Sequence, residues 1–174
     1  MPNIENAVSF RAEIPIAWRH EEHGDAASRA AWTEGNRLLL RACTLSDVSP
    51  REAHGAEAHS LERLDVKMDL ILYLLGSPAG NHRPPPRLAV MSARSLLWAE
   101  DDAPEPGSRV MLSIFLTPRV PLPLRIAARI NDLASGDGKL WVRADFDPGD
   151  AEVQELLEQV VFRAHRKAVH EAKG

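Results

Sequence analysis

Two histidines three residues apart, in His20-Glu21-Glu22-His23, are where side chains of metal-binding type first crowd together. A zinc-protease helix needs its two histidines four apart, so that both lie on one face. A spacing of three, in a polar stretch before Gly24 and with no third ligand indicated, reads as a solvated turn. Cys43 sits at helical spacing between Leu39 and Leu45 with no histidine nearby, which makes it a small packing residue and not a nucleophile. It is the only cysteine, so an intramolecular disulfide and a thiolate zinc cluster are both excluded. Ser92 and Ser95 fit neither a Gly-x-Ser-x-Gly elbow nor a Ser-x-x-Lys motif. His54, His59, His165 and His170 fall in charged helical surroundings and read as exposed helix surface. The basic run Arg163-Ala164-His165-Arg166-Lys167 could hold an anion, but a basic helix C-terminus accounts for it as well, and it is too short for a nucleic-acid arm. There is no Gly-rich phosphate loop, and no carboxylate pair stands out for acid–base work. The expectation is a protein with no catalytic residues, no metal and no cofactor, and so not an enzyme.

The wider composition points the same way. The 174 residues suffice for one domain, or one domain with a sizeable insertion. Lys plus Arg is 21 against 25 for Asp plus Glu, a net charge of −4, which does not attract phosphate backbones and argues against nucleic acid as a partner. The N-terminus lacks a basic segment followed by an apolar run, and no stretch approaches the ~18 apolar residues of a membrane helix. A cytoplasmic protein without membrane contact is expected.

The elements that would position a functional surface follow from periodicity. Residues 8–18 alternate, with Val8, Phe10, Ala12, Ile14, Ile16 and Trp18 on one face, which predicts a half-buried strand. Pro15 cannot donate to a ladder and marks an edge or a bulge. A helical period holds from about Ala26 to Leu45, where Gly35 either weakens the helix or admits the close approach of another. A second helix is predicted from about Arg51 to Leu75, stopped by Gly76 and Pro78. After a Pro-rich loop over 77–87, strands are predicted around Leu88 and Val90, Leu96 and Trp98, Val110 to Leu116, Leu124 to Ile130 and Leu140 to Phe146. Ser135-Gly136-Asp137-Gly138 is a hairpin turn. A last helix begins near Asp147-Pro148, with Asp147 as its cap, and has Val153, Leu156, Leu157, Val160 and Val161 as its apolar face. The order is strand, two helices, at least four strands, helix. It predicts an α+β, mainly β chain: a small antiparallel barrel whose first connection has grown into a helical hairpin, closed by a C-terminal helix.

The second helix carries the strongest functional signal. Leu61, Leu64, Met68, Ile71 and Leu75 repeat at three, four, three and four residues, a heptad seam of a coiled coil. Leu70, Leu72 and Leu74 widen the apolar surface, so one side can meet the first helix and another a second subunit. The seam spans only ~15 residues, or ~22 Å, which favours a multi-helix bundle over an isolated dimer. Homo-oligomerisation through these five residues is expected.

These residues also carry a resemblance. Phe10 to Trp18, Leu61-Glu62-Arg63-Leu64-Asp65-Val66-Lys67-Met68-Asp69-Leu70-Ile71-Leu72, Met91-Ser92-Ala93-Arg94-Ser95-Leu96-Leu97-Trp98 and Val161-Phe162-Arg163-Ala164-His165-Arg166-Lys167 resemble the opening strand, helical signature, second-strand segment and C-terminal helix of the atypical, tetramer-forming PilZ proteins, the cyclic di-GMP receptor-like group. The resemblance implies a single PilZ-like domain over 1–174, with a helical insertion at 21–82, the remaining barrel strands at 83–148 and a C-terminal helix at 149–174. It also implies a tetramer held by bundled helices and a role in bacterial signalling. Cyclic di-GMP receptors of the PilZ type carry Arg-x-x-x-Arg at the first strand and Asp/Asn-x-Ser-x-x-Gly at a later one. Here Pro15 stands four residues after Arg11; of the second motif only Ser92 matches, with Val90 and Ser95 in the outer places. The paired forked donors for two phosphates are missing. The expectation is a self-assembling, non-catalytic adaptor that binds a protein partner without cyclic di-GMP. The alternative is a receptor using non-standard residues, for which Arg11, Ser92 and Arg94 are the candidates.

Overall fold

Proline in the first strand marks the place where that strand changes neighbours. The computed structural model describes residues 7–21, 26–46, 56–76, 83–118 and 120–172. These form β1 (Ser9–His20), α1 (Ala26–Ser46), α2 (Ala56–Gly76), β2 (Pro86–Ser92), β3 (Ser95–Glu100), β4 (Arg109–Ile114), β5 (Leu124–Gly136), β6 (Lys139–Asp147) and α3 (Ala151–Glu171). Ser9 to Pro15 of β1 pair with β2, and Ile16 to His20 pair with β4. Pro15 faces Pro86 at the handover, where neither needs an N–H for the ladder, and the Pro15 carbonyl accepts from Phe115 N–H at 3.0 Å. The handover lets the antiparallel strands close in the order β1-β2-β3-β6-β5-β4 as a barrel, which leaves no strand edge free to pair. Residues 51–55 of the expected second helix lie outside the described residues.

The alternation seen in the sequence fills the barrel. Ile14 and Ile16 of β1, Leu96 and Trp98 of β3, Leu112 and Ile114 of β4, Ile126 and Ile130 of β5, and Val142 and Ala144 of β6 are buried in one cluster. In β2 the inward residues are Ala89 and Met91. Leu88 and Val90, which had marked this strand, instead pack outside against Leu97 and Trp141 in a second, smaller cluster. The β5–β6 turn is the expected one: Asp137 and Gly138 both have positive φ (53° and 72°), the geometry of a two-residue hairpin.

Two helices close the core. α1 buries Leu38, Leu39, Leu40 and Ala42, and α3 buries Val153, Leu157 and Val161. Asn36 of α1 fixes this docking by donating to the Arg125 carbonyl at 2.7 Å while accepting from the Arg125 N–H at 2.8 Å. A buried amide with both functions satisfied is specific to one register of helix on strand.

The start of α3 corrects the expected cap. Gly149 has φ +66°, which no helical path allows, so the helix begins after it and Asp150, not Asp147, caps it. Asp147 stays on β6 and accepts from Arg109 Nη2 at 3.0 Å. Asp150 Oδ1 accepts from Val153 N–H at 2.9 Å, and Asp150 Oδ2 from Arg37 of α1 at 2.7 Å. Glu152 joins the same network, 3.1 Å from Arg37 Nε and paired with Arg41. The Val153 N–H, then the Arg37 guanidinium, hold the Asp150 carboxyl below the usual carboxylate range. Its folded pKa is therefore below the unfolded value of about 4, so the cap stabilises fully above that pH and fades as the pH falls through the folded pKa. Asp150→Ala is expected to cost ~1 kcal/mol at neutral pH. The difference from the parent in urea midpoint should shrink towards zero below pH 4; a difference independent of pH would mean that the carboxylate charge is not what holds this corner.

Candidate functional site

Helix α2 presents two apolar sides. Val66, Leu70 and Tyr73 turn towards α1, with Leu70 buried and the other two half-buried against the core. Tyr73 Oη donates to the Ala31 carbonyl at 3.0 Å. It lies directly over Gly35, where an added Cβ would come within 2.5 Å of the hydroxyl oxygen. Gly35 is thus the close-approach residue of the helix pair.

On the opposite side, at roughly 3.6 residues per turn, lie Leu61, Leu64, Met68, Ile71 and Leu75. Their exposure runs from 54% at Ile71 to 78% at Leu75. Lys67 flanks this stripe on one side, and Asp65 and Asp69 on the other; all three are exposed. Five large apolar side chains in one line over ~21 Å are more than an isolated chain ordinarily leaves in water. The side chains of Leu72 and Leu74 lie outside the described residues.

The second candidate region is the β2–β3 corner. Ser92 is buried, and its hydroxyl is fully engaged: Oγ accepts from the N–H groups of Arg94 at 3.1 Å and Ser95 at 2.9 Å, and lies 2.9 Å from Ser95 Oγ. The hydroxyl therefore staples the turn between β2 and β3. Ser92 and Arg94 both line a groove of about 540 Å³ between this turn, Ala7 and Val8 ahead of β1, and α3. Arg11 is not in its wall; it stands opposite Val90 in the β1–β2 ladder. Among the described residues the charged side chains lining the groove are Arg94, Glu155 and Glu158, and Arg94 lies 3.9 Å from Glu158. The described residues of the corner thus bring two carboxylates for one guanidinium.

His20, Glu21, Arg163 and His165 make contacts within the fold. Among the described residues no cluster of three or more His, Cys, Asp or Glu could hold a metal. His20 meets the Trp18 ring edge-on at 5.5 Å, and Glu21 accepts from Arg109 Nε at 2.7 Å; Glu22 and His23 lie outside the described residues. Cys43 is half-buried against the core. His165 departs from the exposed-surface expectation: it is half-buried, with Nδ1 2.6 Å from the Ser9 carbonyl oxygen. In the basic run, Arg163 donates to the Thr44 carbonyl at the end of α1, and Arg166 lies 6.0 Å over the Phe162 ring. His54, and the side chain of His59, lie outside the described residues.

One carboxylate that the sequence did not single out is buried at the end of the barrel. Glu100 is 4% exposed. Its Oε2 accepts from the indole N–H groups of Trp18 at 3.1 Å and Trp98 at 3.2 Å. Its Oε1 accepts from Asp101 N–H at 3.0 Å and from Arg87. Four donors on two oxygens make a structural carboxylate with no lone pair turned to a reacting group.

A family model described as "Atypical PilZ domain, cyclic di-GMP receptor" matches residues 39–174. No curated protein matches the chain. Among solved structures, the chain is similar to a protein from Xanthomonas campestris described as a tetrameric PilZ domain self-assembled via a helical bundle. The two are 23% identical with a TM-score of 0.68, over 96% of this chain and 93% of that one, a likeness of fold. No helix among the described residues is long and apolar enough to cross a membrane.

Proposed function

This chain belongs to the atypical PilZ domain family, a family of cyclic di-GMP receptors, and from that premise we propose that it is a non-catalytic signalling adaptor that assembles with copies of itself through α2. The observation that carries this reading is the exposed line of Leu61, Leu64, Met68, Ile71 and Leu75, opposite the side of α2 that packs on α1. A helix so built is satisfied on one side by its own chain and needs further helices on the other. The helical bundle of the Xanthomonas campestris protein supports a tetramer as the assembly. In this reading residues 1–174 are one PilZ-like domain. Residues 21–82 are its helical insertion, 83–148 the remaining barrel strands and 149–174 the closing helix, while the barrel surface is left for a protein partner.

The adaptor does not depend on cyclic di-GMP in this reading. Pro15 occupies the place of the second motif arginine, at the handover of β1 between neighbours. The Ser92 hydroxyl is spent on its own turn, and Glu155 and Glu158 line the adjoining groove. A ligand with two phosphates gains little from a corner where carboxylates outnumber guanidinium groups. One observation favours the alternative, a receptor with displaced contacts: Arg94, 84% exposed, stands at the mouth of a groove large enough for part of such a ligand. Isothermal titration decides between them. No heat is expected with cyclic di-GMP at tens of micromolar. Saturable heat that disappears in Arg94→Ala would establish the receptor reading instead.

A further inference from the structure

Helix α3 has an outer side that the core does not use. Val153, Leu157 and Val161 face inward and are buried, whereas Phe162 on the far side is 51% exposed and Val169 39%. Charge along that far side is arranged about Phe162. Glu158 lies four residues before it and Glu155 seven; Arg166 lies four residues after it and Val169 seven, followed by His170. Steps of three, four and seven keep all of these on one face of a helix. The groove described above runs along the acidic half only, with Val8 (49% exposed) and Ala93 on its apolar wall.

We propose that two copies of this chain pair through α3, antiparallel, about a two-fold axis that passes beside Phe162. A two-fold contact must be self-complementary, so that residues at equal distances either side of the axis meet. Phe162 then meets Phe162 of the second copy. Glu158 of each copy meets Arg166 of the other. Val169 of each lies over the aliphatic stem of Glu155 of the other, at the acidic end of its groove. A parallel pair would instead set glutamate against glutamate and arginine against arginine, and would align the two helix dipoles. The groups are free to exchange partners. Glu158 lies at 3.9 Å from Arg94, both side chains being more than half exposed, and also accepts from Gln154 Nε2 at 2.8 Å; among the described residues Arg166 meets the Phe162 ring, at 6.0 Å. Such surface contacts are worth little and are readily replaced.

The stripe from Glu155 to Val169 is only ~21 Å long. This contact is therefore smaller than a standard interface, and it forms at high protein concentration or where another contact has already gathered the chains. It uses a different helix from the α2 stripe and does not depend on it.

Cross-linking tests the pairing directly on the full chain. Phe162→Cys, in a Cys43→Ala background, is expected to form a covalent dimer under mild oxidation, because the two introduced thiols face each other across the axis. Gln159→Cys, three residues off the axis, should cross-link far less. Adding Glu158→Arg or Arg166→Glu alone turns two attractive contacts into repulsive ones and should cut the Phe162→Cys cross-link about tenfold. Adding both together should restore it. All these positions except Cys43 are on the surface, and circular dichroism checks that each variant is folded. Absence of the cross-link, or a cross-link indifferent to the charge changes, overturns the proposal. Light scattering on the parent reports on α2 separately: a monomeric parent that still cross-links in this charge-dependent way overturns the α2 assembly and supports the α3 pairing.

Discussion

A chain carrying Met68→Glu and Ile71→Glu together is expected to be folded and to scatter light as a single chain, against a tetramer for the parent. Both side chains are mostly exposed in the single chain, so two carboxylates there remain in water and cost the fold little. In a bundle they would sit in the packed seam. Moving a carboxylate out of water without a partner costs several kcal/mol after relaxation, and each chain would carry two. The assembly equilibrium constant should fall by many orders of magnitude, at about tenfold per 1.4 kcal/mol. Leu70→Glu is the contrasting variant. Leu70 is buried against α1, so its replacement should detach α2 and lower helix content before it says anything about assembly. A double variant that keeps the parent mass, or a parent that is itself monomeric at tens of micromolar, would remove the α2 stripe from consideration as an interface.

The legible parts of this molecule were those written in period and in backbone chemistry. The alternation of β1, the turn at Asp137-Gly138 and the two sides of α2 follow from residue spacing alone. Gly35 was legible as a choice between two outcomes, and Tyr73 decides it, because the partner of a close approach is a property of the helix pair. The inward face of β2 was not legible. Leu88 and Val90 are bulkier than Ala89, but a strand on a barrel can bury both faces when Leu97 and Trp141 cover the outer one. The start of α3 turned on Gly149, whose positive φ moved the cap from Asp147 to Asp150. Phe162 did leave a signal: it follows Val160 and Val161 but lies about 100° round the helix from Val161, off the apolar face. The role of Ser92 could not be read from motif position, since its hydroxyl is consumed by N–H groups that only the folded turn brings to it. His165 likewise meets a carbonyl 156 residues away in the chain.

Glu100 is the clearest case of a residue whose weight appears only in three dimensions, and its removal should give the largest loss of stability. Its donors come from β1 (Trp18), β2 (Arg87) and β3 (Trp98), with the backbone of Asp101. A carboxylate is the only side-chain group of this shape that accepts at both ends. In Glu100→Gln, one end becomes an NH2 group facing donors, so at least one N–H loses its acceptor while Arg87 loses its counter-charge. Breaking a buried pair in this way costs about 3–5 kcal/mol, and the lower end applies here because the Arg87 side chain keeps 29% of its surface in contact with water. Against a urea slope of 1–3 kcal/mol/M, the unfolding midpoint should drop by at least ~1 M. Arg87→Met should be milder. It leaves Glu100 with both indole N–H groups and the Asp101 N–H, and keeps an unbranched apolar stem on the same face of β2 as Ala89 and Met91. If Glu100→Gln unfolds at the parent midpoint, the carboxylate is not what ties β1, β2 and β3 together at this end of the barrel, and the two tryptophans hold it by packing alone.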